Sequence, residues 1–222
     1  TVQKPQIIVS DAESGVAKDS VQIKVTRNGS KVTGLNWTAA GNSGSYNYTT
    51  SGLTEDGTYV ITVSGAKDTA GNVQNAETSL TYTVDTGKPE ISLKTGDTDL
   101  TTGSYWTNQS DTTVTVTVSD TNLAEENPTV TVDKNVRSDV SWAVNGSVRT
   151  GTFTVANAEN AEASHSITVT AKDQAENEST VSGTIYADRI APTADIRTEN
   201  ATIADGQTHY YSVEKNGTVA LT

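Results

Sequence analysis

The chain has no cysteine and no methionine. Disulfides, thiol nucleophiles and cysteine-ligated zinc or iron–sulfur centres are therefore excluded. Proline occurs only four times and histidine twice in 222 residues. Aromatic residues make up 5% and hydrophobic residues 33%. No run of about 18 apolar residues is present, so membrane insertion as a helix is not expected. No charged start leads into an apolar stretch, so no signal peptide is expected here. Basic charge is scarce as well: 15 Lys and Arg stand against 27 Asp and Glu, a net −12. Nucleic acids and anionic membranes need a basic footprint, so neither is expected as a partner. An acidic surface suits cations.

Low apolar content and high net charge lean toward disorder, but the arrangement of the residues argues for folding. Val114, Val116 and Val118 alternate with Thr113, Thr115 and Thr117; Val21, Ile23 and Val25 alternate with Gln22 and Lys24. Ile61 with Val63, and Ile167 with Val169, repeat the pattern. Period-two alternation marks strands with one buried and one wet face. Threonine on the wet face keeps strand propensity while staying polar. No stretch has sustained helical periodicity, and Ala156 to Ala163 reads as a loop. The expected fold class is all-β.

The chain also repeats itself. Ile7 to Asp11 matches Val116 to Asp120, Trp37 matches Trp142, Tyr59 to Val63 matches His165 to Val169, and Ala66 to Asn72 matches Ala171 to Asn177. Asp85 to Pro89 matches Asp188 to Pro192. The order is constant and the separation stays between 103 and 109 residues. Pro5, Pro89 and Pro192 each precede an extended stretch, where fixed φ and a missing donor suit a strand start or a joint. Three units are expected: 1–86, lacking its first strand; 87–189, complete; and 190–222, the first two strands of a third, truncated unit. A lone strand pair is marginal in water. Residues 191–222 are therefore expected to pack on a neighbour, by strand exchange with a chain whose first unit lacks its opening strand.

Ser10-Asp11, Ser14-Gly15-Val16, Asp56 to Tyr59 and Lys67 to Asn72 together form a pattern that resembles the bacterial immunoglobulin-like repeats of Gram-positive cell-surface and adhesin-type proteins. Tyr105 to Asn108 is similar too. The second unit departs from the pattern at Asp120 to Leu123 and at Glu176. The resemblance implies tandem β-sandwiches of about seven strands per complete unit, strung as a stalk or display module outside a bacterial cell, at its surface or secreted. Turn signals every ~8–12 residues agree with sandwiches. Trp37 and Trp142 alternate with apolar neighbours and are expected in the cores. Trp106 with Tyr105, and the matching Tyr210–Tyr211, are expected to pack at a core or edge; the alternative is a sugar-stacking platform.

In such a sandwich the loop after the second strand, the last hairpin and the incoming linker meet at one end. That topology brings Asp120, Asp173 and Asp85 together, with Glu176 and Asn177 in the same hairpin. Adjacent carboxylates repel unless protonated or paired with a cation. Ca²⁺ accepts six to eight oxygens in irregular geometry. The resemblance implies the same, since some bacterial relatives are stiffened by calcium at such joints. The candidate metal ligands are Asp85, Asp120, Asp173 and Asn177, with Asp11, Asp68 and Asp188 as counterparts. The competing reading is that Asp and Asn are here for turns, with Gly71 supplying positive φ. No other cofactor is expected.

Catalysis is not expected. His165 replaces Tyr59 of the other unit, which argues for a structural role. No phosphate-binding loop is present. Asp97–Asp99 and Glu125–Glu126 read as solvated loop charges rather than a glycosidase pair. The expected partners are neighbouring repeats and a protein or glycan ligand. Two functions stay open: a stalk or adhesion segment of a surface protein, or a carbohydrate-binding or spacer module of a secreted carbohydrate-active enzyme.

Overall fold

The computed structural model describes residues 4–194, 196–198, 201–203, 206 and 220–221. Asp195, His209 and Tyr210–Tyr211 lie outside the described residues. The first unit runs β1 (Ile7–Ser10), β2 (Val16–Ala17), β3 (Gln22–Arg27), β4 (Ser30–Lys31), β5 (Thr38–Asn42), β6 (Ser45–Thr49), β7 (Gly57–Ser64), β8 (Lys67–Asp68) and β9 (Thr78–Val84). The second runs β10 (Glu90–Thr95), β11 (Thr98–Asp99), β12 (Ser104–Thr107), β13 (Asp111–Ser119), β14 (Thr129–Val132), β15 (Asn135–Val136), β16 (Ser141–Asn145), β17 (Val148–Ala156), β18 (Glu162–Lys172) and β19 (Glu178–Asp188). Beyond it lie β20 (Ile196–Thr198), β21 (Ala201–Ile203) and β22 (Ala220–Leu221). One 3₁₀ turn, Lys18–Ser20, is the sole helical piece among the described residues. The chain is all-β, built as sandwiches in tandem.

The second sandwich shows why a polar sequence can fold. One sheet has the order β11-β10-β13-β17-β16, the other β12-β19-β18-β14-β15. The valines of β13 point inward and are fully buried, while Thr113, Thr115 and Thr117 face out. Val130, Val132, Phe153, Val155, Ile167, Val169 and Ile185 meet them from the neighbouring strands, with Trp142 packed against the rim. The chain enters in the first sheet as β10, antiparallel to β13, and crosses to the second as β12, parallel to β19. This crossing covers one side of the core with Leu93 and Leu100, both buried. Gly183 is tailored to the arrangement: a Cβ there would lie 2.7 Å from Leu100.

The first sandwich keeps the same plan without the crossing. Its sheets are β1-β6-β5 and β4-β3-β7-β9, with β2 and β8 paired separately. Its core is smaller: Val25, Tyr59 and Ile61 are buried, and Trp37, Ile7 and Ile23 pack on them partly exposed. Local turn chemistry is shared between the units. Asn28 and Gly29 both have positive φ, as do Asp133 and Lys134, which is the type I′ signature that matches strand twist. Each turn then reaches across: Asn28 accepts from the Thr58 amide at 3.0 Å, and Asp133 accepts from Ser166 at 2.9 Å. His165 Nδ1 also bonds Asp133 at 2.9 Å, and this bond holds the Asp133 carboxyl below the usual carboxylate range.

Trp106, expected at a core or an edge, lies at an edge and is 64% exposed. It sits on the edge strand β12, with its ring stacked on Tyr186 at 4.7 Å. Beyond the second sandwich the described residues include three short strands in the order β21-β20-β22. There β21 pairs with β20 as β11 pairs with β10.

Burying a leucine side chain contributes roughly 1.5–3 kcal/mol, and among the described residues the first sandwich holds no counterpart of Leu93 or Leu100. Chemical denaturation should therefore show the first sandwich unfolding before the second. Leu93→Ala should cost ~2–5 kcal/mol in the later transition alone, read from Trp142 fluorescence with Trp37 as the reporter of the earlier one.

Candidate metal centre

Each acidic residue reaches the joint because a strand delivers it there. Asp85 follows β9 in the linker, Asp120 follows β13, and Asp173 follows β18. One carboxylate oxygen from each lies within 4.8 Å of the other two. Asp173 is 1% exposed; Asp85 and Asp120 are half-buried. Asn177 joins them from the same hairpin as Asp173.

The site is dense with donors. Asn177 donates its backbone amide to Asp173 Oδ1 at 2.8 Å and its side-chain Nδ2 to Asp173 Oδ2 at 2.7 Å. The same Nδ2 lies 3.0 Å from the Asp85 carbonyl oxygen. Asn122 donates Nδ2 to Asp85 Oδ2 at 2.5 Å, and its backbone amide to Asp120 Oδ1 at 2.7 Å. Asn122 is the participant that sequence reasoning missed. Its signal was the departure from the repeat pattern: Asp120 is followed by Leu123 three positions on, whereas Asp11 precedes Val16 by five. Leu123 takes the bridge to Asp173 that Val16 makes to Asp68. The shortened loop thereby carries Asn122 over the linker.

The linker is tied on both sides. Thr86 donates its backbone amide and its hydroxyl to Asp56 Oδ1, at 3.0 and 2.9 Å, in the first sandwich. Asp85, one residue earlier, is held by Asn122 and Asn177 of the second. Gly87 closes the turn by donating to Asp85 Oδ1 at 2.9 Å.

The counterparts behave as turn residues. Asp68 accepts from the Asn72 amide at 2.7 Å and from its side chain at 2.6 Å, and the Asn72 side chain holds Asp68 below the usual carboxylate range. Asp11 accepts from Gly15 at 2.7 Å. Asp188 caps the end of β19 by accepting from Ile190 at 3.0 Å and stands opposite Glu162, apart from Asp11 and Asp68. The two hairpins have one shape: Glu176 takes φ of 68° where Gly71 takes 98°.

Removing the Asp173 carboxylate leaves a buried amide and a side-chain amide without their acceptor. Asp173→Ala should destabilise the second sandwich by ~1–3 kcal/mol in urea unfolding. Asp68→Ala, at the half-buried counterpart, should produce a smaller loss in the first.

Residues 1–86 match the model of the family described as bacterial Ig-like domain. No curated protein matches the chain. Among solved structures, dimeric latent PorU from Porphyromonas gingivalis is similar at 16% identity, over 85% of this chain and 21% of that one, with a TM-score of 0.36. The chain thus spans about a fifth of PorU. A tandem pair of titin Ig domains is similar at 10% identity, over 83% of this chain and 97% of that one, with a TM-score of 0.29. BcpA, the major pilin subunit of Bacillus cereus, is similar at 13% identity, over 86% of this chain and 71% of that one, with a TM-score of 0.23.

Proposed function

We propose that this chain, which opens with a bacterial Ig-like domain in residues 1–86 and folds as tandem sandwiches, is a non-catalytic stalk segment of a bacterial surface or secreted protein. The observation that carries this reading is the linker anchored at both flanks, by Asp56 on one side and by Asn122 and Asn177 on the other. A stalk must transmit orientation from one unit to the next. A joint held by side chains of both units resists bending, whereas a bare polar linker would not.

Calcium completes this joint. Three carboxylates drawn together in a partly buried site repel, and a divalent cation offsets that repulsion. The oxygens at hand fit its needs. They are the carboxylates of Asp85, Asp120 and Asp173, the Asp85 carbonyl, and the side-chain amides of Asn122 and Asn177. A half-turn of either amide swaps its donor for an oxygen acceptor. That supplies the six oxygens at which calcium coordination begins. At calcium a hundredfold above its dissociation constant, linkage adds ~2.7 kcal/mol to the folded state. The melting temperature of the second sandwich should rise in millimolar calcium and fall back in chelator. Asp120→Asn sharpens the test: it should lower stability in calcium and raise it in chelator, where one repelling charge has gone. Melting curves identical with calcium and with chelator would overturn the calcium reading.

A second reading, a carbohydrate-binding module, is favoured by Trp106. Its exposed indole is backed by Tyr186 and flanked by Asn108, Gln109 and Asp188 around a shallow hollow of about 430 Å³. Aromatic faces of this kind suit sugar rings, with polar groups at the margin for hydroxyls. A soluble polysaccharide should then quench tryptophan emission, and Trp106→Ala should abolish the response. Unchanged emission across a panel of bacterial and plant polysaccharides would leave the stalk reading alone.

A further inference from the structure

We infer that the outer face of the second sandwich around Trp106 and Asp188 takes a glycan bearing free amino groups, which rests on the second reading above and names the class of sugar that Trp106 receives.

The register of three strands lays out this face. Trp106 of β12 stands opposite Tyr186 of β19, and Glu162 of β18 stands opposite Asp188 of β19. Ile185 and Ala187 are buried, so alternation along β19 turns Tyr186 and Asp188 to the same outer face. Two residues along a strand span ~6.5–7 Å. An aromatic pair therefore lies one step from a pair of carboxylates at the end of the sheet. The rings of Trp106 and Tyr186 are 20° from parallel, with centroids 4.7 Å apart. Tyr186 thus covers one face of the indole and holds it in place, and the exposure of Trp106 belongs to the rest of the ring. Trp37 and Trp142, by contrast, pack against their cores.

The polar groups around the ring keep unused bonding capacity. Gln109 donates Nε2 to Asn108 Oδ1 at 2.7 Å. Asn108 Nδ2 remains as a donor and Gln109 Oε1 as an acceptor, with no protein partner among the described residues. Asp188 accepts from the Ile190 amide through Oδ1 at 3.0 Å, and its Oδ2 has no partner among the described residues. Asn108, Gln109 and Asp188 line the same hollow as Trp106. A flat aromatic wall with single donors and acceptors at its margin matches a pyranose, which has apolar C–H faces and hydroxyls around its rim.

Charge then selects among sugars. Asp188 is the one charged side chain lining the hollow among the described residues, and Glu162 lies across the ladder from it. Neither forms an ion pair among the described residues. Arg189, next in sequence, gives its Nη1 to the Asn157 carbonyl at 3.0 Å. The indole adds to the same preference, because its quadrupole attracts a cation placed over the ring. The chain as a whole carries −12, which draws in cations and repels acidic sugars. An ammonium group on the sugar meets all three conditions, and a neutral sugar meets none of them. A lysine-rich peptide also brings positive charge, but it presents no rigid ring to the indole and loses more side-chain entropy on binding.

Isothermal titration calorimetry of the full chain decides between these ligands. The probes are a short oligomer of glucosamine, its N-acetylated counterpart, a glucose oligomer of the same length and a lysine oligomer of matched charge. The glucosamine oligomer should bind tightest, and added salt should shrink its lead, since screening acts on the charge alone. Asp188→Asn keeps an acceptor for the Ile190 amide. It should cut glucosamine affinity roughly two- to fivefold, the scale of an exposed ion pair, and leave the glucose oligomer unchanged. Trp106→Ala should weaken all three sugars together, with urea unfolding of the second sandwich unaltered. A glucose or N-acetylated oligomer that binds as tightly as glucosamine overturns the inference and leaves the sugar reading standing. Binding of none of the sugars overturns both. A lysine oligomer that matches glucosamine, or glucosamine binding that survives Trp106→Ala, marks diffuse attraction to an acidic surface and overturns the inference as well.

Discussion

Everything in this molecule depends on closing two sheets over a core assembled from few apolar residues. With one face of each strand given to threonine and serine, only alternate positions can contribute to burial. The valines of β13 become fully buried because neighbouring strands flank them and a crossing strand closes the side. That crossing, from β10 beside β13 to β12 beside β19, is the constraint that separates a tight sandwich from a loose one. Gly183 shows how closely the closure is fitted, since any side chain there would collide with Leu100.

The joint between the units obeys a different logic. It is polar and partly buried, and it works through hydrogen bonds to a short linker. Asp85 and Thr86 face opposite sandwiches, so each unit grips one of two consecutive residues. The charge at the joint is unbalanced by any nearby lysine or arginine bonded to Asp85, Asp120 or Asp173 among the described residues. An acidic surface of net −12 does little to relieve it, and this is the ground on which a cation is proposed for the joint.

Much of this was legible in the residues themselves. Valine–threonine alternation specified strands and their buried faces, and the repeat specified which strands correspond. Asp85, Asp120 and Asp173 could be placed together from topology because three strand ends had to meet at one joint. Asn122 could not, since its role arises from a loop two residues shorter than its counterpart, and a length difference does not say where a side chain lands. The exposure of Trp106 was equally hidden. Alternation tells which residues share a face, but only the position of β12 at a sheet edge shows that its outer face is uncovered.

The sequence by itself determined the local and periodic features: the alternating strands, the units and their order. These follow from backbone sterics and period-two burial, which act over a few residues at a time. Tertiary structure decided which faces are covered and which are left open. Ile7 and Val116 occupy equivalent places in equivalent strands, yet one is half-buried and the other sealed. The difference lies in the strand lying alongside, and burial is a property of that neighbour as much as of the residue.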